Sequence, residues 1–208
     1  MHPNDRPLII GITGSIGGGK TTLCKYIEQY CPVYYADSIA HQVLIEPDHI
    51  QAMTARWGTG ILDDNLIVNR KAIAEIVFNN PFELAFLNAL VHPGVLRIMQ
   101  EIVDNSKADT LFFEVPILFE ANLQNCFDYI VLLLTSREVR KHRIEMRDMI
   151  SFKAINARIA TQAEDEVKAG KSDIVIRNDG SVDELLDKAT AFLKTIPDIP
   201  FRDITPFS

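Results

Sequence analysis

The sequence predicts a three-layer α/β fold around a parallel sheet, and three observations carry that prediction. Short continuous apolar runs recur at Leu8 to Ile12, Val33 to Ala36, Thr110 to Val115, Tyr129 to Leu134 and Ile174 to Ile176. Unbroken runs, unlike alternating ones, suit strands covered on both faces. Segments with helical spacing lie between them, and strand–helix alternation implies right-handed crossovers. A glycine-rich turn joins the first run to the first helical segment.

That turn, Gly14-Ser15-Ile16-Gly17-Gly18-Gly19-Lys20-Thr21, fits G-x-x-x-x-G-K-[ST]. The preceding run is of buried-strand type. After the turn, Leu23, Tyr26, Ile27 and Tyr30 repeat at i, i+3, i+4, i+7, so a helix is predicted from near Thr21. Glycines allow a tight backbone turn with inward-facing N–H groups, Lys20 can reach β- and γ-phosphates, and the Thr21 hydroxyl can hold Mg²⁺. Gly14 to Thr22 are thus the candidate nucleotide-binding residues, with the positive helix end toward the phosphates. A chance glycine turn containing Lys-Thr is the bland alternative, and both flanks argue against it.

The second strand ends at Asp37, where an α/β sheet presents ligand-facing side chains. Asp37 admits two readings: a base that accepts a proton from an attacking hydroxyl, or an N-cap for the helix that begins Ser38-Ile39-Ala40. Residues from about 40 to 106 read as a helical insertion, whose clearest helix carries Val95, Ile98, Met99, Ile102 and Val103 on one face. His92-Pro93 is either the turn that opens this helix, with Pro at its first position, or the site of a ligand-binding imidazole.

The third strand runs into Glu114-Val115-Pro116-Ile117-Leu118-Phe119-Glu120. Glu114 is placed to act behind a metal's direct ligands, and the apolar residues either line an acceptor pocket or belong to the core. A second insertion, 136–171, opens with Arg137, Arg140, Lys141, His142, Arg143 and Arg147. Arg140, Arg143 and Arg147 share one helix face, and guanidinium forks match phosphate oxygens. The rival reading is a solvated face paired with Glu138, Glu145 and Asp148; beside a phosphate loop, a lid over the triphosphate is favoured. The last helix begins with the capping box Ser181-Val182-Asp183-Glu184, and Pro197, Pro200 and Pro206 mark an irregular tail. One α/β unit over 1–208 is expected, with its core at about 7–39, 107–135 and 172–196.

Composition narrows the partners. The chain has 208 residues, 47% hydrophobic and 24% charged, as an ordinary globular protein does. A net charge of −7 offers no general attraction to nucleic acid or an anionic membrane. Cys24, Cys31 and Cys126 lack metal or disulfide spacing. With a polar start and no stretch approaching a membrane span, a cytoplasmic protein is expected, a monomer or weak homo-oligomer.

Taken together, these motifs resemble the dephospho-CoA kinases. The likeness runs along nearly the whole chain: Gly11 to Thr21, Ala36-Asp37-Ser38-Ile39-Ala40-His41, Asn69-Arg70, Leu90-Val91-His92-Pro93, Glu114 to Glu120, Arg143 with Arg147, Arg158-Ile159-Ala160-Thr161-Gln162, and Ile176-Arg177-Asn178-Asp179-Gly180. The phosphate loop fits many families, whereas Ala-Asp-x-Ile-Ala, His-Pro and Val-Pro-Ile-Leu-Phe-Glu in this order are specific. The resemblance implies a P-loop kinase that transfers the ATP γ-phosphoryl group to the ribose 3′-hydroxyl of dephospho-CoA with Mg²⁺. It implies Asp37 as base, Lys20 and Thr21 at the triphosphate and metal, and Arg143 and Arg147 in the lid. It also implies Asn178 near the nucleotide, and Arg70, His92, Pro116, Leu118 and Glu120 near the acceptor, which the first insertion holds. Two positions depart from the family pattern, Tyr35 and Arg177, where Asp is common. The rival functions are a nucleoside monophosphate or small-metabolite kinase of the same fold, and a non-catalytic nucleotide-gated binding module.

Overall fold

The structure, a computed structural model, describes residues 6–78, 80–148 and 165–207, the side chains of 147 and 148 excepted. Strands β1 (Leu8–Gly14), β2 (Val33–Tyr35), β3 (Thr110–Glu114), β4 (Tyr129–Leu134) and β5 (Ile174–Arg177) form one sheet in the order β2-β3-β1-β4-β5. Every pairing is parallel. All five expected strands are present. β1 runs two residues further than its apolar run because Thr13 and Gly14 pair with Leu132 and Leu133 of β4. β2 stops at Tyr35, and Ala36 already belongs to a helix.

The helices are α1 (Lys20–Ile27), α2 (Ala36–Leu44), α3 (Pro47–Trp57), α4 (Arg70–Phe78), α5 (Pro81–Asn105), α6 (Arg137–Asp148), α7 (Asp165–Gly170) and α8 (Val182–Leu193). The Ser181 side chain accepts from the Glu184 N–H at 3.2 Å, which is the expected cap of α8. Contacts divide the chain into two compact units, Met1–Ala36 with Val103–Pro206, and Asp37–Ile102 with Phe207–Ser208.

In the first unit the apolar runs become the core. Ile10, Ile12, Phe112, Val131 and Leu133 of the sheet pack with Leu23, Cys24 and Ile27 of α1 and Leu185, Ala189 and Phe192 of α8. Each fully buried large side chain contributes about 1.5–3 kcal/mol through apolar burial. At the amino edge of the sheet, fully buried Asp128 accepts from the Ile9 N–H at 2.8 Å and from both Arg6 terminal nitrogens at 2.7 and 2.8 Å. The Arg202 N–H also donates to it at 2.7 Å. The proline-marked tail is therefore packed, and further along it the Thr205 N–H donates to Asn125 O at 2.9 Å.

In the second unit, α5 runs 25 residues with Pro93 inside it. The turn expected at His92-Pro93 is not there. An interior Pro leaves the Ala89 carbonyl without its helical donor and costs roughly 3 kcal/mol, but Val91, Val95 and Met99 continue one buried stripe across it. Gly94 adds close packing: a Cβ there would meet Val43 Cγ1 of α2 at 2.6 Å.

The same helix corrects a second expectation. It is long enough for a span, and an 18-residue window has a mean hydropathy of 1.2. Val91, Val95 and Met99 are buried along it, and Arg97 pairs with Glu46 and Glu101.

Candidate active site

The glycines of the loop after β1 occupy the backbone shape that the motif requires. Gly14, Gly17 and Gly19 have φ of 150°, 76° and 93°. Side chains are excluded as well as strained there: a Cβ on Gly17 would lie 2.8 Å from Ile144 Cγ1, and one on Gly19 would collide with the Asn178 amide. Gly18 N–H closes the turn on Ser15 O at 3.1 Å. No side chain caps the start of α1, so the positive end of that helix opens into the loop.

Lys20 leans over this loop. Its Nζ donates to Gly14 O at 2.8 Å and Ser15 O at 3.4 Å, and lies 3.7 Å from Glu114 Oε1 at the end of β3. A phosphate carries full negative charge and attracts the ammonium more strongly than these neutral carbonyls do. Thr21 is exposed one residue further on, with Thr22 beside it. Cys24 is fully buried, and burial, with Glu114 next in weight, pushes its thiol far above the ordinary range. It is a core residue.

Two side chains from distant strands shape the loop from behind. The Thr135 hydroxyl, just past β4, donates to Gly18 O at 3.1 Å, and Asn178 Nδ2, just past β5, donates to the same oxygen at 2.8 Å. Asn178 was expected near the nucleotide; its amide props the loop. Thr135 carried a readable signal, its place at the carboxyl end of a strand, which sequence reasoning passed over.

The basic face of α6 divides. Arg143 donates to Asn178 O at 3.0 Å and Gly180 O at 3.1 Å. Arg140 is buried and pairs with Asp165 of α7 at 2.7 Å. The same carboxylate accepts from Ser15 Oγ of the phosphate loop at 2.7 Å. Arg147 lies in α6 with its side chain outside the described residues, and Arg158-Ile159-Ala160-Thr161-Gln162 falls wholly outside them. At the start of α6, Ser136 N–H donates to Asp179, which holds that carboxyl below its ordinary range.

The loop after β3 separates the two readings left open for it. Leu118 is fully buried, with its Cδ1 against Gly11, so it belongs to the core. Ile117 is exposed, and Pro116 O accepts from Thr13 Oγ1 at 3.4 Å. Glu120 lies 3.0 Å from Nζ of Lys168 in α7, a fully buried ammonium. The contact is an ion pair without the alignment of a directed hydrogen bond. Neither Asp165 nor Lys168 was singled out by sequence reasoning. Their partners are far away in the chain, and α7 has no periodic pattern to reveal them.

In the second unit, Asp37 is exposed in the first turn of α2, inside the helix and not at a cap. His41 follows one turn later. Burial and then the Arg70 charge hold its imidazole below the ordinary range, against a smaller opposite pull from Asp37. His92, half-buried in α5, is held low by burial alone. It is thus a neutral hydrogen-bonding group at pH 7, suited to a hydroxyl more than to an anion. Of the two departures, the Tyr35 hydroxyl donates to Glu28 at 2.8 Å, while Arg177 is exposed and its carbonyl accepts from Lys188 at 2.8 Å. Among the described residues, no group of three His, Cys, Asp or Glu forms a metal cluster.

A parallel sheet with a glycine loop, lysine and threonine at its carboxyl edge, and a basic helix linked to that loop, defines an α/β kinase of the P-loop class. The sequence profile described as dephospho-CoA kinase matches residues 8–184, and the chain belongs to that family. It is 34% identical over 190 residues to a dephospho-CoA kinase of Fusobacterium nucleatum, covering 91% of this chain and 98% of that one. The solved structure of a dephospho-CoA kinase from Campylobacter jejuni superposes with a TM-score of 0.68 at 27% identity, over 91% of this chain and 97% of that one. The crystal structure of TT1252 from Thermus thermophilus gives 0.81 at 29%, over 92% and 99%.

Proposed function

We propose that the chain transfers the γ-phosphoryl group of ATP to the ribose 3′-hydroxyl of dephospho-CoA, forming coenzyme A and ADP. The observation that carries this reading beyond family membership is the placement of Lys20 between the phosphate-loop carbonyls and Glu114. Phosphoryl transfer passes through a loose transition state, so positioning and charge neutralisation outweigh proton abstraction. Lys20 and the loop N–H groups from Gly14 to Thr22 orient the triphosphate. Arg143 and Arg147 bring α6 to it. Asp37, directly after β2, accepts the hydroxyl proton.

Mg²⁺ fits the donor set: Thr21 offers a hydroxyl at the start of α1, and Glu114 is a buried carboxylate at the neighbouring strand end. When bound, the ion neutralises charge on the β- and γ-oxygens. Arg70, His92, Pro116 and Glu120 are the proposed acceptor contacts. A cytoplasmic setting suits the three free thiols Cys24, Cys31 and Cys126, and a net charge of −7 suits a chain without a nucleic-acid or anionic-membrane partner, with a monomer or weak homo-oligomer as the expected state.

The test is ATP consumption with Mg²⁺ and, side by side, dephospho-CoA, adenosine, AMP, CMP or no acceptor, with the product position read by NMR. Turnover specific to dephospho-CoA with a 3′-phosphate is expected. Turnover with AMP or CMP instead would install the nucleoside monophosphate reading, and ATP binding without turnover the gated module.

A further inference from the structure

Lys168 is a fully buried ammonium that the reaction does not call upon. Burying an amine costs several kcal/mol unless a counter-charge is near, and well-packed apolar side chains often do as well or better for stability. A lysine at this place therefore needs an explanation other than stability, and its neighbours supply one.

Asp165 and Lys168 stand three residues apart on α7, so they project from adjacent turns of a short helix. Asp165 holds Ser15 Oγ of the phosphate loop at 2.7 Å and Arg140 of α6 at 2.7 Å. Lys168 holds Glu120 at 3.0 Å, the last residue of the segment that follows β3. That segment is fixed at its start, where Val115 N–H donates to Ile12 O at 2.9 Å and Thr13 Oγ1 reaches Pro116 O. Its far end turns back through Asn122, at a φ of 56°. Glu120 lies between these points and meets a side chain that cannot move far, because it is enclosed on all sides. The helix itself is tied down behind Lys168, whose carbonyl accepts from Ser172 Oγ at 2.8 Å and Lys171 N–H at 3.1 Å.

We propose that Lys168 is a positioning residue for phosphoryl transfer: through the pair with Glu120, and with Asp165 on Ser15, α7 sets the Pro116–Glu120 segment against the phosphate loop. The inference rests on the kinase reading above. Lys168 touches neither substrate, since no part of it reaches the surface. Its effect is on where the acceptor hydroxyl stands relative to the γ-phosphorus. An error of about 1 Å there costs about 10²-fold in rate, whereas background hydrolysis by solvent water does not depend on where the acceptor segment stands.

The experiment compares wild type and Lys168→Met, measuring phosphoryl transfer to dephospho-CoA and release of inorganic phosphate in the same reaction. The ratio of the two belongs to folded molecules alone, so a smaller folded fraction does not change it. Transfer is expected to fall by about 10²-fold while ATP hydrolysis stays within about threefold, which raises the hydrolysis-to-transfer ratio at least tenfold. Should Lys168→Met fail to accumulate, Lys168→Gln, which keeps a polar head and removes the charge facing Glu120, carries the same readout. An unchanged ratio, whatever the absolute rate, overturns the proposal and leaves Lys168 a structural residue. Wild type that transfers nothing to dephospho-CoA overturns instead the kinase reading on which the proposal stands.

Discussion

Asp128, before β4, and Glu114, at the end of β3, are both buried carboxylates of one parallel sheet, yet their partners differ in kind. Asp128 lies at the amino edge and receives four hydrogen bonds, two from Arg6 and one each from the Ile9 and Arg202 N–H groups. Every donor is fixed by backbone or by a guanidinium fork, which leaves the charge nowhere else to go. Glu114 lies at the carboxyl edge and faces an ammonium 3.7 Å away that also serves two loop carbonyls. Asp128 is a staple and Glu114 a working charge. The staple's donors come from the backbone and a guanidinium fork, while the ammonium that Glu114 faces stands at the phosphate loop, where a triphosphate can reach it.

Removing the ammonium that Glu114 faces gives the largest expected effect. Lys20→Ala is expected to lower kcat/KM by about 10³-fold through loss of charge stabilisation, with little change in unfolding free energy, and Arg147→Ala to follow at the same order. Steady-state kinetics beside urea unfolding checks this; a large loss of stability in Lys20→Ala would erase the distinction between the two edges. Asp128→Ala should do the opposite. Uncompensated Arg6 and unpaired N–H groups cost about 3–5 kcal/mol in urea unfolding, with kcat per folded molecule unchanged.

Asp37→Asn comes next. A general base contributes about 10²-fold or more, so kcat should drop by about that factor while the ATP dissociation constant stays within about twofold. Near-normal kcat in a folded Asp37→Asn variant would remove the base assignment.

The smallest effect concerns a neutral buried group set against the charged ones. Burial holds His92 below its ordinary value of 6.5. The unfolded chain therefore binds the proton more readily, and stability contributed by the neutral imidazole is present above pH 6.5 and declines as pH falls below it. His92→Gln should flatten the slope of unfolding free energy between about pH 6.5 and 5. An unchanged slope would show that His92 gains no protection from protonation on folding.

What could be read from the chain was local. The five strands were legible as apolar runs, and the phosphate loop with Lys20 and Thr21 as one contiguous pattern between a strand and a helix. Ser181 with Glu184 announced a cap in four residues. The rest depended on partners far apart in the chain. Nothing around Asp128 signals that Arg6 and Arg202 will meet there, and Asp165 and Lys168 sit in a segment without periodicity. Pro93 misled for a physical reason: a proline is ordinarily a helix boundary, and only the stripe of Val91, Val95 and Met99 outweighs it. For Leu118, composition left core and pocket equal, and only packing on Gly11 separates them.

The two donors on Gly18 O have a consequence for the order in which the protein comes into being. Thr135 and Asn178 lie 117 and 160 residues downstream of the carbonyl they hold. A nascent chain that has left the ribosome only through β3 has its glycine motif in full but lacks both props. Since domains emerge amino-terminus first at about 5–20 residues per second, the motif waits several seconds for the strands that finish it. Firm ATP binding is then a late event, and a ribosome-bound chain stalled before residue 178 should retain nucleotide poorly although its whole phosphate-loop sequence is exposed.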